Sequence, residues 1–336
     1  MKIKYDRSSS RVIRKLILIA LVLLIIFGAM RIIEVKLEER RAREFGDLYG
    51  EDGKAKLYYN DKVYEYNDDI ETFLLMGLDK FEGGTSSSTF SNNSQCDFLV
   101  LFCIDKKNKT YNALQINRDT MTDMPIIAVG GEDGGKTYGQ IALAHTYGSG
   151  KEDSCRNTKK AVEWLLLQNR IDHYLSITMD AVGKMNDAVG GVTVELLDDF
   201  TFLDPEYKEG ATVKLLGDDA LSYVRARGQL EDSTNISRMA RQRQYIMAFK
   251  DAYTEYRKKN NSIGIDVLSD FADSLVSDCN INMLSEMAEE LSAYDIGQIY
   301  TLDGESKKGE KYMEFYVDSE KLKGTVIELL YRECQE

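Results

Sequence analysis

Fifteen residues without a charge, LILIALVLLIIFGAM from Leu16 to Met30, constrain this chain more than any other stretch. Before them, residues 2 to 15 carry Lys2, Lys4, Arg7, Arg11, Arg14 and Lys15 against a single Asp6. Ile32 and Ile33 extend the run to about 18 residues if the Arg31 guanidinium snorkels to the interface, enough to cross a bilayer. A basic flank ahead of the span predicts a cytoplasmic N-terminus and an external remainder. A cleaved leader would need a small-residue site after the run, and a lipoprotein anchor would need a cysteine there. The chain instead continues as the charged, helix-forming EVKLEERRAREF. The expectation is a single-pass cell-membrane protein with a cytoplasmic tail at 1–15 and a signal anchor at 16–33. A stalk and small hairpin follow at 34–69, then an extracellular domain at 70–336.

Charge narrows the partners. The 336 residues carry a formal charge of −13. Without the first fifteen the balance is 37 basic against 55 acidic groups, a net of −18. A surface of that sign repels nucleic acid unless cations are gathered locally, so nucleic acid is not an expected partner. The five cysteines, Cys96, Cys103, Cys155, Cys279 and Cys334, show no C-x-x-C pattern and no Cys/His spacing that suggests zinc. Cys96 and Cys103 lie seven apart on one predicted strand, so they point to opposite faces and cannot pair. His145 and His173 are isolated and read as packing residues.

Periodicity predicts alternating strands and helices. KLYYNDKVYEY reads as a hairpin turning at Asn60-Asp61, and the apolar ETFLLMGLDK as a buried central strand. CDFLVLFCID and TYNALQINRDT form an antiparallel pair turning at 106–109. FEGGTSSSTFSNNSQ (81–95) and GGEDGGK (130–136) read as loops. Helices are expected at about 137–148 and at 154–169, the second capped by Asp153 or Ser154. HYLSIT and VTVELL are predicted strands around the helix MDAVGKMNDAV, and GDDALSYVRAR is a helix starting at Asp218 or Asp219. Another runs from Thr234 or Asn235 to about Arg257; two helices, strands near 299–302 and 315–317, and a closing helix at about 318–332 follow. The fold class is α/β, a mixed central sheet flanked by helices.

Five arginines crowd nineteen positions of this acidic chain: Arg225, Arg227, Arg238, Arg241 and Arg243. Arg238, Arg241, Gln242 and Tyr245 are spaced to share one helical face of about 100°. They sit in the first three turns, where the helix dipole and free N–H groups favour an anion. A solvated basic face paired with Glu231 and Asp232 would explain one or two arginines, but less well four converging on one loop and helix start. Guanidinium forks match phosphate oxygens bidentately and keep their charge. Asp79 ends the first core strand and Asp97 begins the second. Carboxylates meeting there would ligate a hard cation such as Mg²⁺ (or Mn²⁺), with phosphate oxygens completing its shell. Arg118 and Asp119 close the hairpin, and alternation alone leaves open which of them faces the site.

The stretches MGLD, CDFLVLF, QINRDT, LAHTYG, DAVGGVTV, LLGDDALSYVRAR and SRMARQRQ occur in this order. Together they resemble the LytR-CpsA-Psr family over residues 70 to 336. The resemblance implies a polyprenyl lipid held in an apolar tunnel beside a mixed sheet. It implies phosphotransfer of a glycopolymer, of teichoic acid or capsular type, from undecaprenyl pyrophosphate to a peptidoglycan muramic acid hydroxyl. By position, Asp79 and Asp97 resemble metal-associated carboxylates. Arg118, Arg225, Arg227, Arg238, Arg241 and Gln242 resemble a pyrophosphate-binding set. Asp97, Arg118, Arg225 and Arg227 are the expected catalytic residues, Asp97 as the base. The family often has an aspartate where this chain has Asn235, either a helix cap here or replaced in role by Asp232. A membrane-anchored polyprenyl-pyrophosphate-binding regulator, or a pyrophosphatase without transfer, is the alternative.

Overall fold

The structure, a computed structural model, describes residues 48–49, 55–79, 94–127, 133–148, 150–260 and 263–334. The tail, the anchor and most of the stalk and of the 81–95 loop fall outside the described residues. Among the described residues no helix is long and apolar enough to cross a membrane. The chain divides into two compact units, 1–66 with 333–336, and 67–332.

In the first unit β1 (Leu48–Tyr49) pairs with β2 (Ala55–Tyr59), which turns back into β3 (Lys62–Tyr66). Asn60 and Asp61 take φ of 49° and 61°, the left-handed values that a two-residue hairpin turn requires and that Asn and Asp tolerate. The C-terminus joins this unit: the Cys334 amide donates to the Val63 carbonyl at 2.9 Å, and Lys62 meets Glu333 at 2.7 Å.

The second unit opens with β4 (Ile70–Leu78), β5 (Cys96–Asp105) and β6 (Thr110–Ile116), an antiparallel meander. β7 (Met121–Ile127) and β8 (Asp133–Gln140) form a separate ribbon. After a 3-10 turn at Ile141–Tyr147 come α1 (Lys151–Leu165), β9 (His173–Thr178) and α2 (Met179–Ala188). β10 (Val192–Glu195) and β11 (Thr212–Leu215) pair, and α3 (Asp218–Arg225) leads into the long α4 (Asn235–Arg257). α5 (Ile263–Asp270), β12 (Leu275–Ser277), α6 (Ile281–Ala293) and β13 (Asp295–Thr301) follow. A last ribbon of β14 (Gly304–Lys308) and β15 (Met313–Val317) precedes α7 (Ser319–Leu330) and β16 (Tyr331–Glu333).

The central sheet has the order β12-β9-β4-β5-β6-β13 and is mixed, as expected: β4 runs parallel to β9 and β6 to β13, and the other pairs are antiparallel. Its two faces separate strictly along each strand. Leu74, Met76, Leu78, Leu99 and Leu101 are fully buried on one face, which meets the 3-10 turn and α1. Phe73, Val100 and Phe102 lie on the other, packed with Leu268 of α5 and Leu284 and Met287 of α6. A second apolar cluster, including Val192, Phe200, Tyr223 and Val224, ties β10, β11 and α2 to α3 and α4.

The expected loop at 130–136 and helix at 137–148 are replaced by β8 and the 3-10 turn. Gly134, Gly135 and Gly139 disfavour a helix, and pairing Thr137 against Met124 supplies ladder bonds that a lone glycine-rich helix lacks. Neither Asp153 nor Ser154 caps α1, which begins at Lys151 after Gly150 (φ 109°); Ser154 instead accepts the Gly150 N–H at 3.0 Å. It also ends early, because Leu167 and Gln168 turn left-handed at φ 60° and 65°.

α2 crosses close to the start of α3 because Gly183 has no side chain: a Cβ there would sit 2.8 Å from the Gly217 carbonyl oxygen. Backbone cannot yield as a flexible side chain does, so Gly183→Ala is expected to cost about 1–3 kcal/mol of stability. Equilibrium urea unfolding of the variant beside the parent checks this.

Candidate functional site

The hairpin register decides which side chains meet. β5 and β6 pair Leu99 with Ile116, and continuing that register sets Asp97 opposite Arg118. On its other side β5 bulges, pairing Phe98 with Gly77 and Cys96 with Leu78, so Asp97 has no partner on β4 and its carboxylate is free to be re-aimed. Arg118 Nη1 donates to Asp97 Oδ1, and Nη2 donates to Gln95 Oε1 at 2.5 Å. The turn after β6 is locked by Asn117, whose Oδ1 accepts the Asp119 N–H at 2.9 Å and the Asn235 amide at 2.8 Å. Ala142 and Phe315 donate backbone N–H groups to the Arg118 and Asp119 carbonyls, pinning the turn between neighbouring elements.

α4 delivers the second cation. Thr234 is its N-cap, accepting the Ser237 N–H at 3.2 Å, which places Arg238 in the first turn. Arg238 Nη1 lies 3.6 Å from Asp97 Oδ2, and Nη2 donates to Asn235 Oδ1. Asp97 is therefore gripped by two guanidinium groups. Burial brings the Arg238 pKa down to about 10, with Arg118 and Arg227 beside it acting in the same direction and Asp97 opposing. It stays charged at neutral pH. Asp119 faces the same cluster, which settles the question left by alternation: both residues of the pair take part. Gln140 donates to Asp119 Oδ1 at 3.0 Å, and burial raises its carboxyl pKa despite the pull of Arg118, Arg227 and Arg238.

Three guanidinium groups thus face two carboxylates, Asp97 and Asp119, leaving one positive charge in excess. Arg238 Nε is buried and has no hydrogen-bond partner among the described residues, and Arg118 Nε has only a long contact, 3.5 Å to Asp119 Oδ1. An orphaned N–H costs about 1–3 kcal/mol. An anion with several acceptor oxygens, such as a phosphate, would offer Arg238 Nε an acceptor and balance the excess charge.

The other expected residues divide. Arg225 lies 3.0 Å from Asp79, both side chains about half exposed (54% and 51%). Arg227 is exposed, close enough to act on Asp119 and Arg238, and has no ion pair among the described residues. Arg241 and Gln242 do not join the cluster. The Arg241 side chain is fully buried and its donors are committed to the Tyr223 and Ala226 carbonyls, Ser237 Oγ and Asp198 Oδ2. Gln242 donates to the Val224 carbonyl at 3.2 Å and accepts from Gln115, which in turn accepts from Arg243 at 2.7 Å. These three brace the helix pair that presents Arg225, Arg227 and Arg238. The cap role suggested for Asn235 falls instead to Thr234, and the exposed Asp232 accepts the Thr234 N–H at 2.9 Å. Asn235 instead bridges Asn117 and Arg238.

A metal held by Asp79 or Asp97 would need further ligands from a bound anion. Asp79 and Asp97 are each occupied by guanidinium groups, and no third carboxylate, histidine or cysteine completes a protein-only ligand cluster with them among the described residues. Mg²⁺ is commonly held by one or two carboxylates plus substrate phosphate oxygens, which suits this donor set. Beside the cluster a cavity of about 300 Å³ lies between the Phe73 face of the sheet and α2, α4, α5 and α6, lined almost wholly by apolar side chains. Gly77, Phe98 and Val224 line it, one or two residues from Asp79, Asp97 and Arg225. A Cβ on Gly77 would come 2.9 Å from the Phe98 Cβ, so the glycine lets the two strands approach where cavity and charges meet.

An α/β domain with an arginine–carboxylate cluster beside an apolar cavity is the class of protein defined so far. The model of the LytR_cpsA_psr family matches residues 39–327, and the chain belongs to this LytR-CpsA-Psr family. TagU of Halalkalibacterium halodurans, named a polyisoprenyl-teichoic acid–peptidoglycan teichoic acid transferase, is 31% identical over 165 residues, 49% of each chain. TagV of Bacillus subtilis, named likewise, is 27% identical over 281 residues, 82% of this chain and 65% of that protein. Neither match reaches two thirds of the relative's own length. The crystal structure of TagV aligns with a TM-score of 0.58 at 21% identity, covering 78% of this chain and 97% of that one. TagT bound to LI-WTA aligns at 0.57 and 21%, covering 78% and 90%. At these identities the structures attest the shared fold.

The bracing role of Arg241 is testable. Arg241→Met strands the Asp198 carboxylate and is expected to cost about 3–5 kcal/mol, whereas Arg227→Ala changes stability by no more than about 0.5 kcal/mol, both read by denaturant unfolding. Asp119 gives a pH signature. A carboxyl whose folded pKa is raised stabilises the fold below its unfolded pKa, and that contribution is lost as pH rises through the folded value. Parent protein should therefore lose stability relative to Asp119→Asn as pH climbs from the ordinary carboxylate range through the raised one, in melting curves recorded across that window.

Proposed function

We propose that the chain is a glycopolymer–peptidoglycan phosphotransferase, held in the cell membrane by residues 16–33 with its catalytic domain outside. Its donor is a polyprenyl-pyrophosphate-linked glycan of teichoic acid or capsular type, and its acceptor a peptidoglycan muramic acid hydroxyl. The observation that carries this reading is the cluster of Arg118, Arg227 and Arg238, one positive charge in excess of Asp97 and Asp119, set next in sequence to residues that line an apolar cavity. A lipid-borne diphosphate has the matching halves: a long apolar chain and a compact anion. The relatives' names supply the polymer class.

The reaction follows from the charges. A pyrophosphate diester resists attack because its own negative charge repels nucleophiles. Arg118, Arg238 and the free Arg227 neutralise that charge and stabilise it as it moves onto the departing polyprenyl phosphate. Asp79 and Asp97 would hold Mg²⁺ or Mn²⁺ jointly with diphosphate oxygens, an ion that adds further neutralisation. The acceptor hydroxyl attacks the glycan-side phosphorus, the bridging P–O bond breaks, and polyprenyl monophosphate leaves. Asp97 takes the hydroxyl proton once phosphate oxygens have drawn its guanidinium partners away.

Full-length protein in detergent, given a polyprenyl-pyrophosphate glycan, peptidoglycan and Mg²⁺, should release polyprenyl phosphate and attach the glycan. Arg118→Ala is expected to cost roughly 2–5 kcal/mol in kcat/KM, and Asp97→Ala about 10²–10³ in kcat. Release at an equal rate without peptidoglycan would assign the site to hydrolysis. Absence of release, beside a competent transferase control, sinks both readings.

A further inference from the structure

At the opposite end of β4 from Asp79, three side chains from distant parts of the chain converge. His173 opens β9, and Asp278 and Cys279 form the link between β12 and α6. One donor atom from each lies within 4.8 Å of the other two. His173 Nδ1 is 3.7 Å from Asp278 Oδ1, and Cys279 Sγ is 3.8 Å from the same oxygen. Donor atoms around a tetrahedral zinc ion, at bond lengths of about 2.0–2.3 Å, are about 3.3–3.8 Å apart, so two of the three separations already suit one. The third closes with a shift of about 1 Å.

We propose that His173 Nδ1, Asp278 and Cys279 form a zinc site independent of the arginine cluster, with its fourth position open to water. The surroundings support this on two counts. Glu71 Oε1 lies 3.5 Å from His173 Nε2, on the far side of the ring. A carboxylate there holds the proton on Nε2 and leaves the Nδ1 lone pair for the metal, the usual outer partner of a metal-bound histidine. The lysines nearby take other oxygens: Lys106 Nζ meets Glu71 Oε2 at 2.5 Å, and Lys159 Nζ lies 3.8 Å from Asp278 Oδ2. The ligand loop is also preformed, since Ser277 Oγ accepts the Cys279 N–H at 3.0 Å and Asp278 Oδ1 accepts the Tyr174 N–H at 2.9 Å. Imidazole, carboxylate and thiolate together select zinc over Mg²⁺ or Ca²⁺.

The site would act as a clamp. It joins the parallel pair β4 and β9 to the residue before the Asn280 cap of α6, and α6 supplies Leu284, Met287 and Leu291 to the cavity wall. Full-length protein, purified in detergent and stripped with EDTA, is titrated with Co²⁺ alone. One equivalent should bind, with a thiolate-to-cobalt charge-transfer band and the strong visible absorption of a tetrahedral centre. Cys279→Ser should abolish the charge-transfer band, while Cys334→Ser leaves it intact. Glu71→Gln should keep the band but weaken affinity by about 10–100-fold, which a merely packed histidine would not show. A wild-type spectrum without the band, or a band that survives in folded Cys279→Ser, overturns the proposal. Should Cys279→Ser fail to fold, alkylation of Cys279 in the parent decides: slowing by Zn²⁺ supports the site, and equal rates with and without Zn²⁺ overturn it.

Discussion

One partly buried carboxylate organises the arginine-rich end of this domain. Asp97 leaves β5 at a bulge and is met by Arg118 from the next strand and by Arg238 from a helix 141 positions further along the chain. Two guanidinium groups this close would repel each other without the carboxylate between them. Together they tolerate burial, and each fixes the others' geometry. The hairpin turn and the start of α4 are thereby held in one relative position. Phosphate oxygens entering the cluster would compete with Asp97 for cations already gathered at one place, so binding would need only a local shift of their tips.

Arg241 shows why such a cluster can be built from a loop and a helix start. Its guanidinium spans the end of α3 and the first turns of α4, satisfying two carbonyls that helix termination leaves without partners. Tyr223 stacks beneath on Phe200, with ring centroids 5.1 Å apart, and Arg241 lies over the same Phe200 ring. The segment carrying Arg225 and Arg227 is therefore anchored from below while its tips stay in solvent. An arginine in this arrangement is a structural member, and it leaves Arg227 beside it without an ion pair among the described residues.

Much of this was legible in the sequence. The apolar runs of β4 and β5, the turn at 106–109 and the capping threonine of α4 follow from local rules. Together they fix the sheet and the long helix. The opposition of Asp97 and Arg118 was within reach as well: once Asp105 pairs with Thr110, counting back along both strands brings the two together. Helical spacing, by contrast, put Arg238, Arg241 and Gln242 on one face without saying what that face meets. Shared orientation made all three seem alike, yet only Arg238 stands near enough to the β5 bulge to reach Asp97. Glycine content misled around 130–148, where ribbon pairing overrides local preference. His173 and Cys279 are 106 positions apart, so their approach depends on the β9–β12 pairing and leaves no trace in local spacing.

Asn235 fits the same electrostatic frame. Its amide satisfies both neighbours, donating to Asn117 and accepting from Arg238, so the geometry of the helix start does not need a charge there. The charge balance does change. A carboxylate at this position would bring Arg118, Arg227 and Arg238 into balance with three acids, whereas Asn235 leaves one positive charge uncompensated. The substitution therefore favours capture of an anion. It also removes one proton acceptor from the cluster, so any proton released by an incoming hydroxyl must fall to Asp97 or Asp119. Of these, Asp119 has the carboxyl that burial has already made the more basic than usual, while Asp97 is the one directly gripped by the guanidinium groups that an anion would draw away. On the proposed reaction, binding and proton transfer would be coupled through the same arginines, because the event that frees the acid would be the arrival of the substrate's own charge.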